Sequence, residues 1–158
     1  MPEAARSVAP LEVRDLVRAD LDEVIRIDAL HTGQAQGEYW QRVFGDFLGR
    51  DPGRVRVGLA ATHGGRLVGY LLGEVRAFEF GSEACGWVFG VGVDPQQLRG
   101  GVASTLLAEG CRRFRAAGVQ RIRTMVRRNN VPVLSFFRAN GFAAGRFVQL
   151  ELDLEEES

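Results

Sequence analysis

The stretch Val91-Gly92-Val93-Asp94-Pro95-Gln96-Gln97-Leu98-Arg99-Gly100-Gly101-Val102-Ala103 constrains the fold of this 158-residue chain more than any other. Ahead of it, Trp87, Val88, Phe89, Val91 and Val93 predict a buried strand from Cys85 to Val93. Asp94-Pro95 ends the strand. Beyond the glycines, Leu106, Leu107, Cys111 and Phe114 recur at helical spacing, predicting a helix from Val102 to Ala117 that Gly118 terminates. A buried strand that feeds a turn and then a long helix belongs to a layered α/β architecture. The turn also has a chemistry. A helix N-terminus exposes unpaired N–H groups and about half a positive charge, so it attracts phosphate. Gly100 and Gly101 let the main chain approach an anion, and Arg99 can add a charged contact. A glycine pair alone is equally a plain tight turn.

The rest of the chain supplies the layers. Leu11 to Arg14 reads as a first strand. A helix from Leu21 to Leu30 follows, with Asp20 as its N-cap and Leu21, Val24, Ile25 and Ala29 as its apolar stripe. A second helix, Tyr39 to Leu48, turns Trp40, Val43, Phe44, Phe47 and Leu48 inward. Val55 to Ala61 and Arg66 to Val75 predict strands joined through His63, Gly64 and Gly65. Arg121 to Val126 is a further strand, Val131 to Ala139 a helix with Pro132 in its first turn, and Phe147 to Leu154 an alternating last strand. The expected class is α/β (α+β), a mixed sheet with helices on its faces. Residues 1–10 are expected to be a flexible N-terminus, 11–154 a single domain, and 155–158 an acidic tail.

Composition excludes several classes of function. Twenty basic and twenty acidic residues cancel, so no net charge marks a nucleic-acid binder. Every basic residue is Arg, a pattern that reads as coding bias. Arg112, Arg113, Arg115, Arg121, Arg123, Arg127 and Arg128 cluster in sequence, either as a solvated face or as a basic surface. Cys85 and Cys111 lack the paired spacing of a metal or redox site, so no metal is expected. Residues 1–10 have no apolar core of a signal peptide, and no apolar run nears the ~20 residues of a membrane span. These features imply a cytoplasmic protein without membrane or nucleic-acid partners.

The turn resembles the pyrophosphate loop of the GNAT superfamily of acyl-CoA-dependent N-acyltransferases. That pattern is Gln/Arg, two residues, Gly, one residue, then Gly/Ala; here Leu98 to Ala103 fills it, with Gly101 and Ala103 at the small positions. Leu98 departs from Gln/Arg. Asn130, Phe137 and Gly141-Phe142 resemble the family's Asn...Tyr...Gly-Phe segment, and the element order from Leu11 to Leu154 is similar. The resemblance implies a GNAT-like, mostly antiparallel sheet whose central parallel strands splay. It implies acetyl-CoA as cosubstrate and an amine acceptor, in a monomer or homodimer. Coenzyme A is expected along Val91, Gly92 and Val93, on Leu98, Arg99, Gly100, Gly101, Val102, Ala103 and Ser104, and at Asn130 and Phe137. Asn130 also reads as a plain helix N-cap.

By the same resemblance the amine attacks the thioester directly, a main-chain N–H polarises the oxyanion, and a Tyr often protonates the leaving thiolate. The Tyr position holds Phe137, which has no proton to give. Glu83 is the candidate base, with Glu79 as its competitor; each reads equally as a solvated carboxylate. His31, expected in the loop after the first helix, is the second candidate, against a solvated surface role. Tyr39 and Trp40 are candidates to line the acceptor cleft, with a core role as the other reading of Trp40. Cys85 as an acyl carrier is a remote alternative. The leading reading is an N-acetyltransferase for a primary amine (a peptide N-terminus, a side chain or a small amine). The other readings are an acyl-CoA-responsive binding module and a nucleic-acid-binding regulator.

Overall fold

The computed structural model describes residues 9–49, 51–77, 79–98 and 100–155. Arg99, the side chain of Glu79, residues 1–8 of the expected flexible N-terminus and residues 156–158 of the acidic tail lie outside the described residues. The chain divides into two compact units, Met1–Met125 and Val126–Ser158.

The first unit runs β1 (Leu11–Asp15), α1 (Leu21–Thr32), α2 (Gly37–Phe47), β2 (Arg56–His63), β3 (Arg66–Arg76), β4 (Cys85–Val93), α3 (Val102–Ala116) and β5 (Ile122–Arg123). The strands form one sheet in the order β1-β2-β3-β4-β5. The first three junctions are antiparallel and β4–β5 is parallel, so the expected mixed, mostly antiparallel sheet is what the chain forms. His63 pairs with Arg66, which leaves Gly64-Gly65 as a two-residue hairpin turn.

Pleating sends successive side chains of a strand to opposite faces of the sheet. Tyr70 and Leu72 of β3 face one way, into a cluster with Val24 and Ile27 of α1 and Trp40 and Phe44 of α2. Helix α3 covers the other face and buries Leu106 and Phe114 completely. Burying such side chains contributes roughly 1.5–3 kcal/mol each, which makes the two helix–sheet layers the main source of stability.

Several sequence expectations shift. Asp20 occupies the N-cap position of α1 but makes no capping hydrogen bond. It has helical torsions, and its carboxylate turns back to accept from Arg14 at 2.8 and 2.9 Å and from the Val17 N–H at 2.8 Å. Helix α1 continues through His31, which therefore lies in its last turn and not in a loop. Leu48 falls just past α2 and is 38% exposed, so it is not part of the inward stripe. Strand β5 is two residues long, not six; just past it the Thr124 hydroxyl, not a main-chain N–H, is seen donating to the Val88 carbonyl, at 2.9 Å.

The second unit contains α4 (Val131–Ala139). Asn130 Oδ1 accepts from the Val133 N–H at 3.3 Å, and Pro132 sits in the first turn. Phe137 stacks edge-on to Phe136 and Phe142, at centroid distances of 5.1 and 5.0 Å. The strand expected from Phe147 to Leu154 does not form. Val148, Leu150, Leu152 and Leu154 are all more than three-quarters exposed. Alternation makes a segment competent to be a strand, but a ladder needs a partner, and this unit contains no other strand among the described residues.

Candidate active site

The site begins where β4 ends. Asp94 is buried, and both its carboxylate oxygens are used: one accepts from the Gln96 N–H at 3.0 Å, the other from Arg26 of α1 at 3.1 Å. The Gln96 N–H, then Arg26 and the more distant Arg66, hold this carboxyl below the usual carboxylate range against the opposing effect of burial. The Asp94 carbonyl accepts from Gln97 and the Gln97 carbonyl from Gly100, so the chain winds through a short 3-10 turn before α3. Gly101 then takes a left-handed conformation, φ +71°, that side chains with a Cβ adopt at a cost of about 1–2 kcal/mol. No side chain caps α3 among the described residues. The first-turn N–H groups of Val102, Ala103 and Ser104 are thus left for an anion. Leu98 is 61% exposed on the same turn.

The strand that feeds this turn has an open edge. Strand β5 pairs with Gly86 and Trp87, and among the described residues of this unit no ladder pairing continues along β4 beyond that point. Asp94 N–H donates to the Val68 carbonyl, and antiparallel pairs alternate between bonded and non-bonded. Gly92, opposite Tyr70, therefore spends its main-chain groups on β3, whereas Val91 and Val93 turn theirs to the open side. One of those groups is taken: the Val93 carbonyl oxygen lies 2.6 Å from Nε2 of His31. A carbonyl can only accept, so Nε2 carries the proton and Nδ1 is the nitrogen free to take one.

An aromatic group lies under the same segment. Tyr70 reaches from β3 across β4, and a Cβ placed on Gly92 would fall 2.5 Å from its Cε1, Cζ and Oη. Gly92 is required because the phenol occupies the space of a side chain. Trp40 sits edge-on to Tyr70 at 5.3 Å and to Tyr39 at 5.1 Å, and its Nε1–H donates to Asp28 at 2.9 Å. Burial, and then the Asp28 carboxylate, push the hydroxyls of both Tyr39 and Tyr70 above the ordinary tyrosine value, Tyr70 much further.

Of the sequence-predicted residues, Val91, Gly92, Val93, Gly100, Gly101, Val102, Ala103 and Ser104 follow one another along the open strand edge, the turn and the helix start, and His31 joins them. Glu83 does not join them by contact; it is exposed in the segment before β4, with its carbonyl accepting from Ser82. Cys85 is 1% exposed, with Arg123 Nη1 3.3 Å from its sulfur. Trp40 is buried and Tyr39 is 40% exposed. Asn130 and Phe137 belong to the second unit, where they cap and fill α4. Sequence reasoning missed Tyr70, Asp28 and the Arg26–Asp94 pair. The signal for Tyr70 was a phenol between the aliphatic Leu67, Val68, Leu71 and Leu72; the other contacts join residues too far apart in sequence for spacing to disclose. Arginines of the sequence cluster are engaged within the first unit: Arg112 and Arg113 both bind Glu109, Arg113 also reaches Asp15, and Arg123 donates to Ser82 beside the Cys85 sulfur. No group of three or more His, Cys, Asp or Glu side chains is placed to hold a metal ion among the described residues.

Comparison with known proteins identifies the fold and the family. The chain is 30% identical over 123 residues to a mycothiol acetyltransferase of Saccharomonospora viridis, covering 76% of this chain but only 37% of that protein. Its fold matches aminoglycoside N-acetyltransferase AAC(6')-Iy in complex with CoA, with a TM-score of 0.80 at 17% identity over 96% of this chain and 99% of that one. It also matches a transcriptional regulator from Bacillus halodurans C-125, with a TM-score of 0.75 at 17% identity over 92% of this chain and 100% of that one. Residues 21–142, from the start of α1 to Phe142, match the acetyltransferase (GNAT) family, and the chain belongs to that family.

Proposed function

We propose that this protein transfers the acetyl group of acetyl-CoA to a primary amine by direct attack of the amine on the thioester. The observation that carries this reading is the continuity of an open strand edge at Val91 and Val93 with the uncapped, glycine-led start of α3. An extended amide-bearing arm can pair with the first as an added strand, and a pyrophosphate can settle on the second. Gly100, Gly101, Val102, Ala103 and Ser104 supply the main chain there, with Leu98 at the rim and Arg99 adding charge. A main-chain N–H on the open β4 edge polarises the thioester carbonyl, an effect worth roughly 3–4 kcal/mol in such sites. His31 accepts the amine proton at Nδ1 while its Nε2–H stays on Val93. An amine acceptor is supported by the family match and by the printed activity of one fold neighbour, an aminoglycoside N-acetyltransferase. Since the chain spans 37% of the mycothiol acetyltransferase, neither relative's acceptor is assigned to it.

The test has two readings on one preparation. Acetyl-CoA at millimolar concentration should raise the melting temperature, and amines from a mixed panel of peptides, side-chain amines and aminoglycosides should elicit free thiol. A ligand at about 100 times its Kd stabilises the folded state by roughly 2.7 kcal/mol, which a thermal melt resolves easily. No shift and no amine-dependent thiol would overturn the proposal.

A further inference from the structure

The chain has two tyrosines, and neither is at position 137, where the family resemblance implies a phenol. Both lie in the first unit around Trp40. We propose that Tyr70 is the catalytic acid, its hydroxyl delivering a proton to the sulfur of coenzyme A as the thioester breaks. This inference rests on the acetyltransferase reading above and names the group that completes its chemistry.

Position is the first support. Tyr70 is in register with Gly92, between Val91 and Val93, the two residues whose main chain faces the open edge. Its ring tip lies over the Gly92 Cα, close enough that a methyl group there would collide with Cε1, Cζ and Oη at 2.5 Å. The phenol therefore projects across the strand against which an acyl-pantetheine arm would lie. Its aim is the second support. The ring sits edge-on to Trp40, which Asp28 anchors through Nε1. The Tyr70 hydroxyl has no hydrogen-bond partner among the described residues, although the residue as a whole is only 3% exposed. It is nevertheless not sealed: the only fully enclosed polar side-chain atom without a partner among those residues is Arg56 Nε. A hydroxyl that is unpartnered and not fully enclosed, on a buried ring beside the β4 edge, is available to a ligand.

The proton count closes. The acceptor nitrogen bonds to the carbonyl carbon, the C–S bond breaks with its electron pair passing to sulfur, and the Tyr70 proton moves to that sulfur to give the thiol. The phenolate then takes the proton that the nitrogen loses in becoming an amide, through His31 or water. Burial and the nearby Asp28 carboxylate favour the protonated phenol, so the acid carries its proton at neutral pH. Tyr39 is near the same carboxylate but contacts Trp40 from α2, without a described contact to β4.

Tyr70→Phe keeps the ring and removes only the hydroxyl. With the acceptor found in the panel, kcat should fall within the roughly 10²–10⁴-fold range of acid catalysis, with the Kd for acetyl-CoA changing by less than about twofold. Coenzyme A itself is the second probe. A hydroxyl hydrogen-bonded to the thiolate lowers the pKa of the bound thiol, so the ultraviolet thiolate titration should move up by about one unit in the variant. A third reading needs no mutation. With tyrosine labelled at ¹³Cζ, one of the two resonances should shift on binding coenzyme A and not on binding its desulfo analogue. An unchanged kcat in a variant that binds acetyl-CoA normally, an unmoved thiol titration, or equal shifts with both ligands would each overturn the assignment and leave the acetyltransferase reading intact. If the wild type neither binds acetyl-CoA nor releases thiol, that reading fails and this one falls with it.

Discussion

Gly101 and His31 show how much one residue decides. At Gly101 the torsion and the ligand make separate demands. A Cβ there meets no atom within 4 Å, so a substitution at φ +71° is limited by backbone strain of about 1–2 kcal/mol and not by space. Gly101→Ala should therefore melt a few degrees lower and still be stabilised by acetyl-CoA. Gly101→Glu should melt at the same lowered temperature but show no acetyl-CoA shift, because its carboxylate faces the pyrophosphate. Two parallel thermal melts make the comparison. If the Glu variant is stabilised as well as the Ala variant, the turn is not the phosphate site. At His31, Nε2 is committed to Val93 and Nδ1 remains. His31→Gln should lower kcat by about 10²-fold or more with little change in the KM for acetyl-CoA. Glu83→Gln, measured beside it, decides between the two candidate bases. A large fall with Glu83→Gln and none with His31→Gln would transfer the role to Glu83.

Among the elements, α1 does more than cover the sheet. Its Arg26 ties the helix to Asp94 at the entrance to the turn, and its His31 ties it to the last carbonyl of β4. The first of these ties depends on pH in a defined direction. Asp94 in the folded protein is held below the ordinary carboxylate range by Gln96 N–H and Arg26. A group whose folded pKa is depressed stabilises the fold at pH above its unfolded value of about 3.9, and that contribution drains away as pH falls through the folded value. Wild-type stability should thus drop on acidification below about pH 4, and Asp94→Asn should start lower at neutral pH and fall less steeply. Urea unfolding midpoints at about pH 7 and about pH 3 give the answer. Parallel slopes for the two proteins would show that Asp94 does not carry this linkage. Glu109 of α3 is held at about 2 by its hydrogen bonds from Arg112 and Arg113. Its ion pairs are solvated, however, so they add little to stability.

Taken whole, the first unit is two helical layers on one sheet, and its weakest tolerance is on the α3 side. Phe114 is fully buried beneath the sheet, and Phe114→Ala should cost about 3–5 kcal/mol, a large part of an ordinary domain's 5–15. The melting temperature should fall on the order of 10 °C, and acetyl-CoA should recover part of it by mass action. A fall of only a degree or two would mean that the α3 layer is not packed as described.

What the sequence determined by itself was the local grammar. The apolar periodicities of α1, α2 and α3, the Gly64-Gly65 hairpin, the Asp94-Pro95 stop and the glycine-led start of α3 are all written in neighbouring residues, because helical stripes, turn torsions and helix ends are short-range properties. The family-like loop was legible for the same reason, and so was the gap at Phe137. The tertiary structure decided what depends on partners distant in the chain. It placed His31 on Val93, 62 residues away, and Arg26 on Asp94, 68 residues away. It put the Tyr70 phenol over Gly92, which no spacing rule encodes, and so turned an apparently ordinary core residue into a candidate acid. It also withheld a ladder from Phe147–Leu154, whose alternation is as regular as that of any strand here. Strand propensity is local, but a strand exists only where a second edge meets it.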